Sequence, residues 1–437
     1  MATRSVLLVS PTGSGKTVCF SSLTRDYAQA GYRVYILVHR DELLEQVSST
    51  LEAFHIAHGC IAPGYPNYRM RSVQVASVFT LGRRLADVIP PDLVIVDEAH
   101  HAIPRSTWGK VLSAWPAASR VGVTATPERL SGEGLRDTFA TLLLGPSVRS
   151  LIDQGALCDY RLFAPPVTAT DGVHRRMGDY SKSELATAMD KPTITGNALQ
   201  HYRQLAAGKR ALVFCVSLDH AQHVAEEFTA AGYPAARIDG TLDRGTRRHL
   251  VTAFASGRVT VLTSCDLVSE GFDLPAIEVA ILLRPTESLA LHLQQMGRAL
   301  RPYPGKPYAL ILDHAGNTLK HGLPDDDREW SLDGKETRRA SEGEKAVSVR
   351  TCGKCFAAVR STARLCPYCG LVFPIDPREV QEVDGTLVEV DLEAMRREKK
   401  REQGRADTFD ALVELGKQRH YRNPFMWARH VWKARHH

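Results

Sequence analysis

Nowhere in these 437 residues do about 18 apolar residues follow one another, the length a helix needs to cross a bilayer. The opening stretch, MATRSVLLVS, has too short an apolar part for a secretion signal and runs straight into a glycine-rich loop. A disulfide framework is absent too. Of nine cysteines, Cys19, Cys60, Cys158, Cys215 and Cys265 stand singly among apolar neighbours, as small core residues do. No membrane association is expected, and the expected setting is the cytoplasm. Excess charge is scarce over most of the chain. The net +6 is concentrated from Arg396 to His437, where 12 Lys/Arg face five Asp/Glu, so the remainder is close to neutral. A basic tail on a near-neutral body suits a polyanion partner, although a merely solvated tail has the same composition.

What is present is an alternation of short β-branched runs and helical patterns. VLLV (6–9), VYILV (34–38), VQVASV (73–78), LVIV (93–96) and RVGVT (120–124) form one series of buried parallel strands. ALVFCV (211–216), ARID (236–239), VTVLT (259–263), VAILL (279–283) and ALILD (309–313) form a second. Helical segments such as Asp41–Phe54, Ser217–Ala231 and Asp243–Ser256 lie between them, so two α/β lobes built of βαβ units are expected. Pro165 and Pro166 put the boundary near 164–170, giving lobes at 1–165 and 166–317. Residues 318–348 read as a polar linker, 349–376 as a compact Cys-rich unit, and 377–437 as a basic helical region. In the last helix, Phe425 and Trp432 are expected to pack on Phe409 and Leu412, leaving a basic face for phosphates.

Three motifs carry chemistry. SPTGSGKT (10–17) follows a strand and precedes a helix, the setting of a phosphate-binding loop, although Pro11 stands where the stricter pattern has Gly. Gly13, Ser14 and Gly15 would aim backbone N–H groups at phosphates, Lys16 would reach the β and γ phosphates, and Thr17 would hold Mg²⁺. LVIVDEAH (93–100) ends an apolar strand in two carboxylates, Asp97 for Mg²⁺ and Glu98 for the attacking water. Cys352-x-x-Cys355 and Cys366-x-x-Cys369 are separated by ten residues, a spacing suited to one structural tetrahedral Zn²⁺.

With these motifs in order, the first 317 residues resemble a superfamily 2 helicase-type ATPase of the DEAD/DEAH-box class, with two tandem RecA-like lobes. PTGSGKT is similar to motif I, DEAH (97–100) to motif II, TAT (124–126) to motif III, SCDLVSEGFDLP (264–275) to motif V and QQMGRALR (294–301) to motif VI. The resemblance implies ATP hydrolysis. Arg298 and Arg301 would be arginine fingers, Gln294 a contact to the γ-phosphate or water, and Gly271 and Asp273 contacts to the ribose and to motif VI. His100, Thr124 and Thr126 would be coupling residues. It also implies nucleic-acid contacts, for which Arg40, Thr80, Arg83 and Arg84 are the candidates. The stretch 272–317 and the following zinc ribbon resemble RadD-like bacterial DNA-repair ATPases and prophage helicases. DNA and a single-stranded-DNA-binding protein are therefore the partners implied, in recombination, repair or replication. Such relatives carry an upstream element that recognises adenine, and no such element precedes strand one, which begins near Val6. The expectation is a truncated or misassigned start, a base held loosely from the second lobe, or weak nucleotide binding.

Overall fold

The structure is a computed structural model. It describes residues 5–66, 68, 70–127, 132–164, 175–176, 179–180, 182–190, 192–265, 274, 277–333, 349–373, 401–419 and 424–435. The chain forms two compact units, Met1–Pro374 and Ile375–His437.

The first lobe contains strands β1 (Ser5–Val9), β2 (Val34–Val38), β3 (His58–Ile61), β4 (Val73–Ser77), β5 (Leu93–Asp97), β6 (Ser119–Thr124) and β7 (Thr141–Leu144). They pair in the order β3-β4-β2-β5-β6-β1-β7, all parallel. Every residue of β2, β4 and β5 is buried, which is why β2 and the first four residues of β5 are unbroken apolar runs, and β4 interrupts its apolar residues only with the buried Gln74 and Ser77. Helices α1 (Lys16–Gln29), α2 (Asp41–Ala53), α3 (Val78–Leu81) and α4 (Thr107–Ser113) make the crossovers. A parallel sheet sends every strand's C-terminal end to one edge, and the motif residues leave from that edge.

After β7 come α5 (Val148–Asp153) and β8 (Tyr160–Phe163), and then a two-residue antiparallel pair, β9 (Arg175–Arg176) with β10 (Asp179–Tyr180). The remaining second-lobe strands are β11 (Ala211–Phe214), β12 (Ala235–Ile238), β13 (Val261–Ser264), β14 (Val279–Leu282) and β15 (Ala309–Asp313). Their parallel order is β12-β13-β11-β14-β15-β8. Helices α6 (Lys182–Met189), α7 (Pro192–Leu205), α8 (Leu218–Ala230), α9 (Arg244–Ala255), α10 (Leu289–Ala299) and α11 (Asn317–His321) surround this sheet. The side chains of Ser217, Asp243 and Ser288 cap α8, α9 and α10 by accepting from the third residue on.

The second lobe begins earlier than Pro165 and Pro166 suggest. Leu151, Ile152, Leu157 and Cys158 belong to its core, and β8 completes its sheet beside β15. Local sequence punctuation marks a break in the chain, whereas strand pairing decides which core a segment joins.

Residues 318–333 do more than link. Leu323 is buried in the second lobe's core, while Trp330 and Leu332 pack into the first lobe's. Leu332 O accepts from Leu135 N at 2.7 Å and Arg136 N at 3.1 Å, and Arg136 Nη2 donates to Asp333 Oδ2 at 2.9 Å. This strap ties the second lobe back to the first. The Cys-rich unit, with β16 (Val349–Thr351) antiparallel to β17 (Ala358–Arg360), is fastened to the end of β8 by Ala164 N donating to Phe356 O at 2.9 Å.

In the second unit, helices Phe409–Gln418 and Pro424–Arg435 pack together. Phe409 meets Phe425 edge-on at 5.2 Å and Trp432 at 6.2 Å, the anticipated packing, while Arg429 and Lys433 are exposed. Among the described residues no helix is long and apolar enough to cross a membrane.

Three histidines are buried in the second lobe. Burial holds His220 down to about 4, and His292 and His314 to about 3. The unfolded chain takes up these protons near pH 6.5 and the folded one does not. Stability is therefore full above that pH and lost as pH falls toward 4, by up to ~1.4 kcal/mol per unit for each histidine. Urea midpoints at pH 7 and pH 5 check this, and an unchanged midpoint would contradict neutral burial.

Candidate active site

Strand β1 delivers Ser10 and the loop to the N-terminus of α1. Gly13 and Gly15 take φ of +86° and +83°, the left-handed region that only glycine adopts at little cost. Gly15 is the N-cap of α1 and supplies no side-chain acceptor, so the first helical N–H groups face the loop. Lys16 Nζ donates to Ser10 O and Pro11 O, both at 2.9 Å, and Ser10 Oγ donates to Ser14 Oγ at 2.7 Å. Burial draws the Lys16 ammonium below its ordinary value; the carboxylates of Glu98 and Asp97 oppose that, and the guanidinium groups of Arg301 and Arg298 reinforce it. Two carboxylates of its own lobe and two guanidinium groups of the other lobe therefore act on Lys16 at this point.

Asp97 ends β5 and is buried. Desolvation, then the neighbouring Glu98 carboxylate, pushes it up to about 7. Such a carboxylate is short of positive charge, and a divalent cation shared with the Thr17 hydroxyl fits it. Asp97 Oδ1 accepts from Glu98 N at 3.0 Å. Glu98 adopts φ +49° and ψ +52°, an uncommon conformation for a residue with a side chain. From there a polar chain leads inward. Glu98 Oε2 lies 3.4 Å from His100 Nδ1, which is 3.1 Å from Thr124 Oγ1, and Thr124 Oγ1 donates to Thr126 O at 2.8 Å. The structure thus links the three anticipated coupling residues to Glu98 in one network.

Helix α10 brings the second lobe's groups. Gln294 and Arg298 are buried, and Arg301 lies two residues past the last helical residue, Ala299. Lys306, which the motif reading did not single out, holds this end in place. Its ammonium donates to Ile277 O at 2.7 Å, to Arg301 O at 2.9 Å and to Ala299 O. The nearest sequence signal is only a lysine shortly after a helix end.

The two lobes meet at the phosphate loop itself. A Cβ built on Gly297 would lie 2.7 Å from Thr12 Cβ, and one built on Gly13 would lie 3.6 Å from Arg301 Cγ. Motif VI therefore rests directly on motif I. A second interlobe contact lies between α2 and α9, where Arg247 pairs with Glu42 and Arg244 with Glu45, and Arg244 Nη2 donates to Tyr65 OH at 3.1 Å. Gly271 and Asp273 lie outside the described residues.

The remaining candidates fall into two groups. Arg40 immediately precedes α2, and Thr80 lies in α3 with Arg83 and Arg84 just beyond it. Because β2 and β4 are paired neighbours, both segments leave the same sheet edge; Arg83 and Arg84 are exposed, and Arg40 and Thr80 are half-buried. The Sγ atoms of Cys352, Cys355, Cys366 and Cys369 all lie within 4.8 Å of one another, with Cys352–Cys369 at 3.5 Å and Cys355–Cys366 at 3.6 Å. A tetrahedron with Zn–S bonds of ~2.3 Å has edges of roughly 3.8 Å, so the four thiols are compatible with zinc.

A profile described as "Type III restriction enzyme, res subunit" matches residues 2–129, and one described as "Helicase conserved C-terminal domain" matches residues 194–303. A 51.5 kDa protein of Lactococcus phage (isolate 7-9) is 34% identical over 394 residues, which is 90% of this chain and 83% of that protein. The chain belongs to the superfamily 2 helicase-type ATPases. The putative ATP-dependent helicase IRC3 of Saccharomyces cerevisiae is 29% identical to this superfamily 2 ATPase over 366 residues, 76% of the chain; the chain spans about half, 52%, of that relative. Among solved structures, a fragment of a putative HsdR subunit of a type I restriction enzyme from Vibrio vulnificus YJ016 matches with a TM-score of 0.60 and 21% identity, over 76% of this chain and 64% of that one. Dbp5 of S. cerevisiae matches with a TM-score of 0.50 and 16% identity, over 77% and 88%. At such identities the likeness is one of fold, and it is the fold of two RecA-like lobes. Membership brings ATP and Mg²⁺ as cofactors and ATP hydrolysis of the helicase type as the enzyme class.

Gly297→Ala tests the interlobe contact of this superfamily 2 ATPase. The methyl group would meet Thr12 Cβ at 2.7 Å and Cγ2 at 3.2 Å, so the lobes must part. Alanine favours the helix by about 1 kcal/mol. The melting temperature should hold or rise while ATP turnover falls at least about tenfold, a barrier change of roughly 1.4 kcal/mol. Unchanged turnover would mean that the contact is not used.

Proposed function

We propose that this chain is a DNA-stimulated ATPase that translocates along or remodels DNA in recombination, repair or replication. The observation that carries this reading is the convergence of Lys16, Asp97 and Glu98 from one lobe with Arg298 and Arg301 from the other. In the proposed reaction the loop N–H groups and Lys16 grip the triphosphate. Asp97 and Thr17 would hold Mg²⁺, which when bound would supply positive charge against the phosphates. Glu98 takes a proton from the attacking water. Arg298 and Arg301 stabilise the charge spread over the equatorial oxygens, and Gln294 orients the water or the γ-phosphate.

A site split between lobes turns chemistry into motion, because phosphate release weakens one of the ties that hold the cleft shut. The strap Leu323–Asp333 limits how far the lobes part, since it is anchored in both cores. Arg40, Thr80, Arg83 and Arg84 sit where the first lobe would grip a phosphate backbone. The exposed Arg429 and Lys433 offer a second basic surface, and the zinc-bound ribbon would staple a small unit with little core of its own. DNA rather than RNA follows from the resemblance to repair ATPases, and the restriction-enzyme profile over the first lobe supports it.

ATP turnover of the wild type and of Glu98→Gln, with single-stranded DNA, duplex, fork, RNA or no nucleic acid, tests the reading. DNA should raise turnover, and Glu98→Gln should lower it by about 10²–10⁴-fold while DNA binding persists. Stimulation by RNA alone, or by neither nucleic acid, would overturn it.

A further inference from the structure

We propose that a cavity of about 200 Å³ beside the phosphate loop receives the purine base of the nucleotide, and that the strap from the second lobe forms one of its walls. This rests on the phosphate-loop reading above and adds to it the element that recognises the base.

Position is the first argument. Pro11 and Thr12, the opening residues of the loop, line the cavity together with Gly297 of α10 and strap residues between Pro324 and Trp330. The cavity therefore directly adjoins the loop, Gly13–Thr17, along which the phosphates would lie. Size is the second. Pockets that enclose a whole drug-sized ligand measure roughly 300–1,000 Å³, so a smaller space suits one flat ring system with its ribose and phosphates outside.

The walls are the third argument. Pro146 comes from the connection after β7, Val148 from the start of α5, Leu300 from the end of α10 and Trp330 from the strap. A purine has two apolar faces and a polar edge, and stacking on an aromatic ring is the commonest way a protein holds those faces. The polar groups are sorted as well. Arg328 donates to the carbonyls of His321 at 3.2 Å, Leu323 at 2.6 Å, Pro324 at 3.4 Å and Asp326 at 3.0 Å, and so shapes the turn. Asp326 accepts from Leu323 N at 2.8 Å and from Arg360 at 3.0 Å. Asp327 lines the same cavity and is exposed, so its carboxylate is placed to accept from an exocyclic amino group at the base's edge. An amino-bearing purine is the class selected.

The strap is held on both sides of the cavity, by Leu323 in the second lobe's core and by Leu332 in the first lobe's. A base stacked on Trp330 would consequently touch both lobes and the segment that joins them.

Calorimetric binding of Mg²⁺ complexes of ATP, GTP, inosine triphosphate and inorganic tripolyphosphate tests this. Wild type should bind ATP at least about tenfold more tightly than tripolyphosphate. Trp330→Ala should weaken ATP by roughly ten- to a hundredfold and leave tripolyphosphate unchanged. Asp327→Ala, at an exposed position, removes the acceptor and should abolish the preference for ATP or GTP over inosine triphosphate, which has no amino group, and it keeps the test decisive should Trp330→Ala not fold. Equal binding of ATP and tripolyphosphate by wild type, equal losses of both in Trp330→Ala, or wild-type behaviour of both variants would overturn the base pocket alone. Wild type binding neither ATP nor tripolyphosphate would overturn the phosphate-loop reading and the pocket with it.

Discussion

The contact between Thr12 and Gly297 is the constraint on which the rest of the molecule depends. Two parallel sheets, each with its own core, could stack in many ways. The packing seen here places the end of α10 against the turn that opens the phosphate loop, and it needs a residue without a side chain at 297, because any Cβ there would strike Thr12. That proximity brings Arg298 and Arg301 within electrostatic reach of Lys16. Buried Lys306 fixes the same helix end from the other side by binding three carbonyls, one on the last helical residue, Ala299, and one on Arg301 just beyond it. Its own ammonium is drawn down mainly by burial, a sign that the bonds rather than solvent hold it there.

Electrostatics follows from this packing. Two carboxylates and two guanidinium groups act on Lys16 where Asp97 and Arg298 are buried, so the charge of each of the four matters to the lysine. Asp97 is raised toward neutrality by burial and by Glu98, which makes it a receptive ligand for a divalent cation. Lys16 donates to two carbonyls of its own loop, bonds that phosphate oxygens would have to replace. The left-handed backbone at Glu98 turns its carboxylate away from the line of β5 and into line with His100, Thr124 and Thr126. A short polar route thus runs from Glu98 into the first lobe's sheet.

Much of this was legible in the sequence. Fully buried parallel strands are apolar throughout, so VYILV and ALILD matched β2 and β15 to the residue. The helical segments expected from Ser217 and Asp243 do start there, with those side chains as N-caps, and glycines at 13 and 15 announced the backbone that the loop adopts. Strands β3, β7 and β8 were not anticipated. Each has only four residues, and β7 leaves Leu143 and Leu144 exposed, so neither burial nor alternation distinguishes it from a loop. The strap was read as a linker because Trp330 and Leu332 are too sparse to show a period, yet two anchored side chains suffice to bind it to the first lobe. Ion pairs of Arg247 with Glu42 and Arg244 with Glu45 join residues about 200 positions apart, and nothing local announces them.

A single catalytic centre assembled from both lobes is the central claim, and a double-mutant cycle on Lys16→Ala and Arg298→Ala tests it most directly. Single-turnover ATP hydrolysis would be measured at saturating nucleotide for the wild type, both single variants and the double variant. Residues that stabilise one transition state together lose their effect together, so the double variant should be little slower than the worse single variant, itself reduced by about 10³-fold or more. Losses that multiply would show two residues acting independently, and would contradict a shared site.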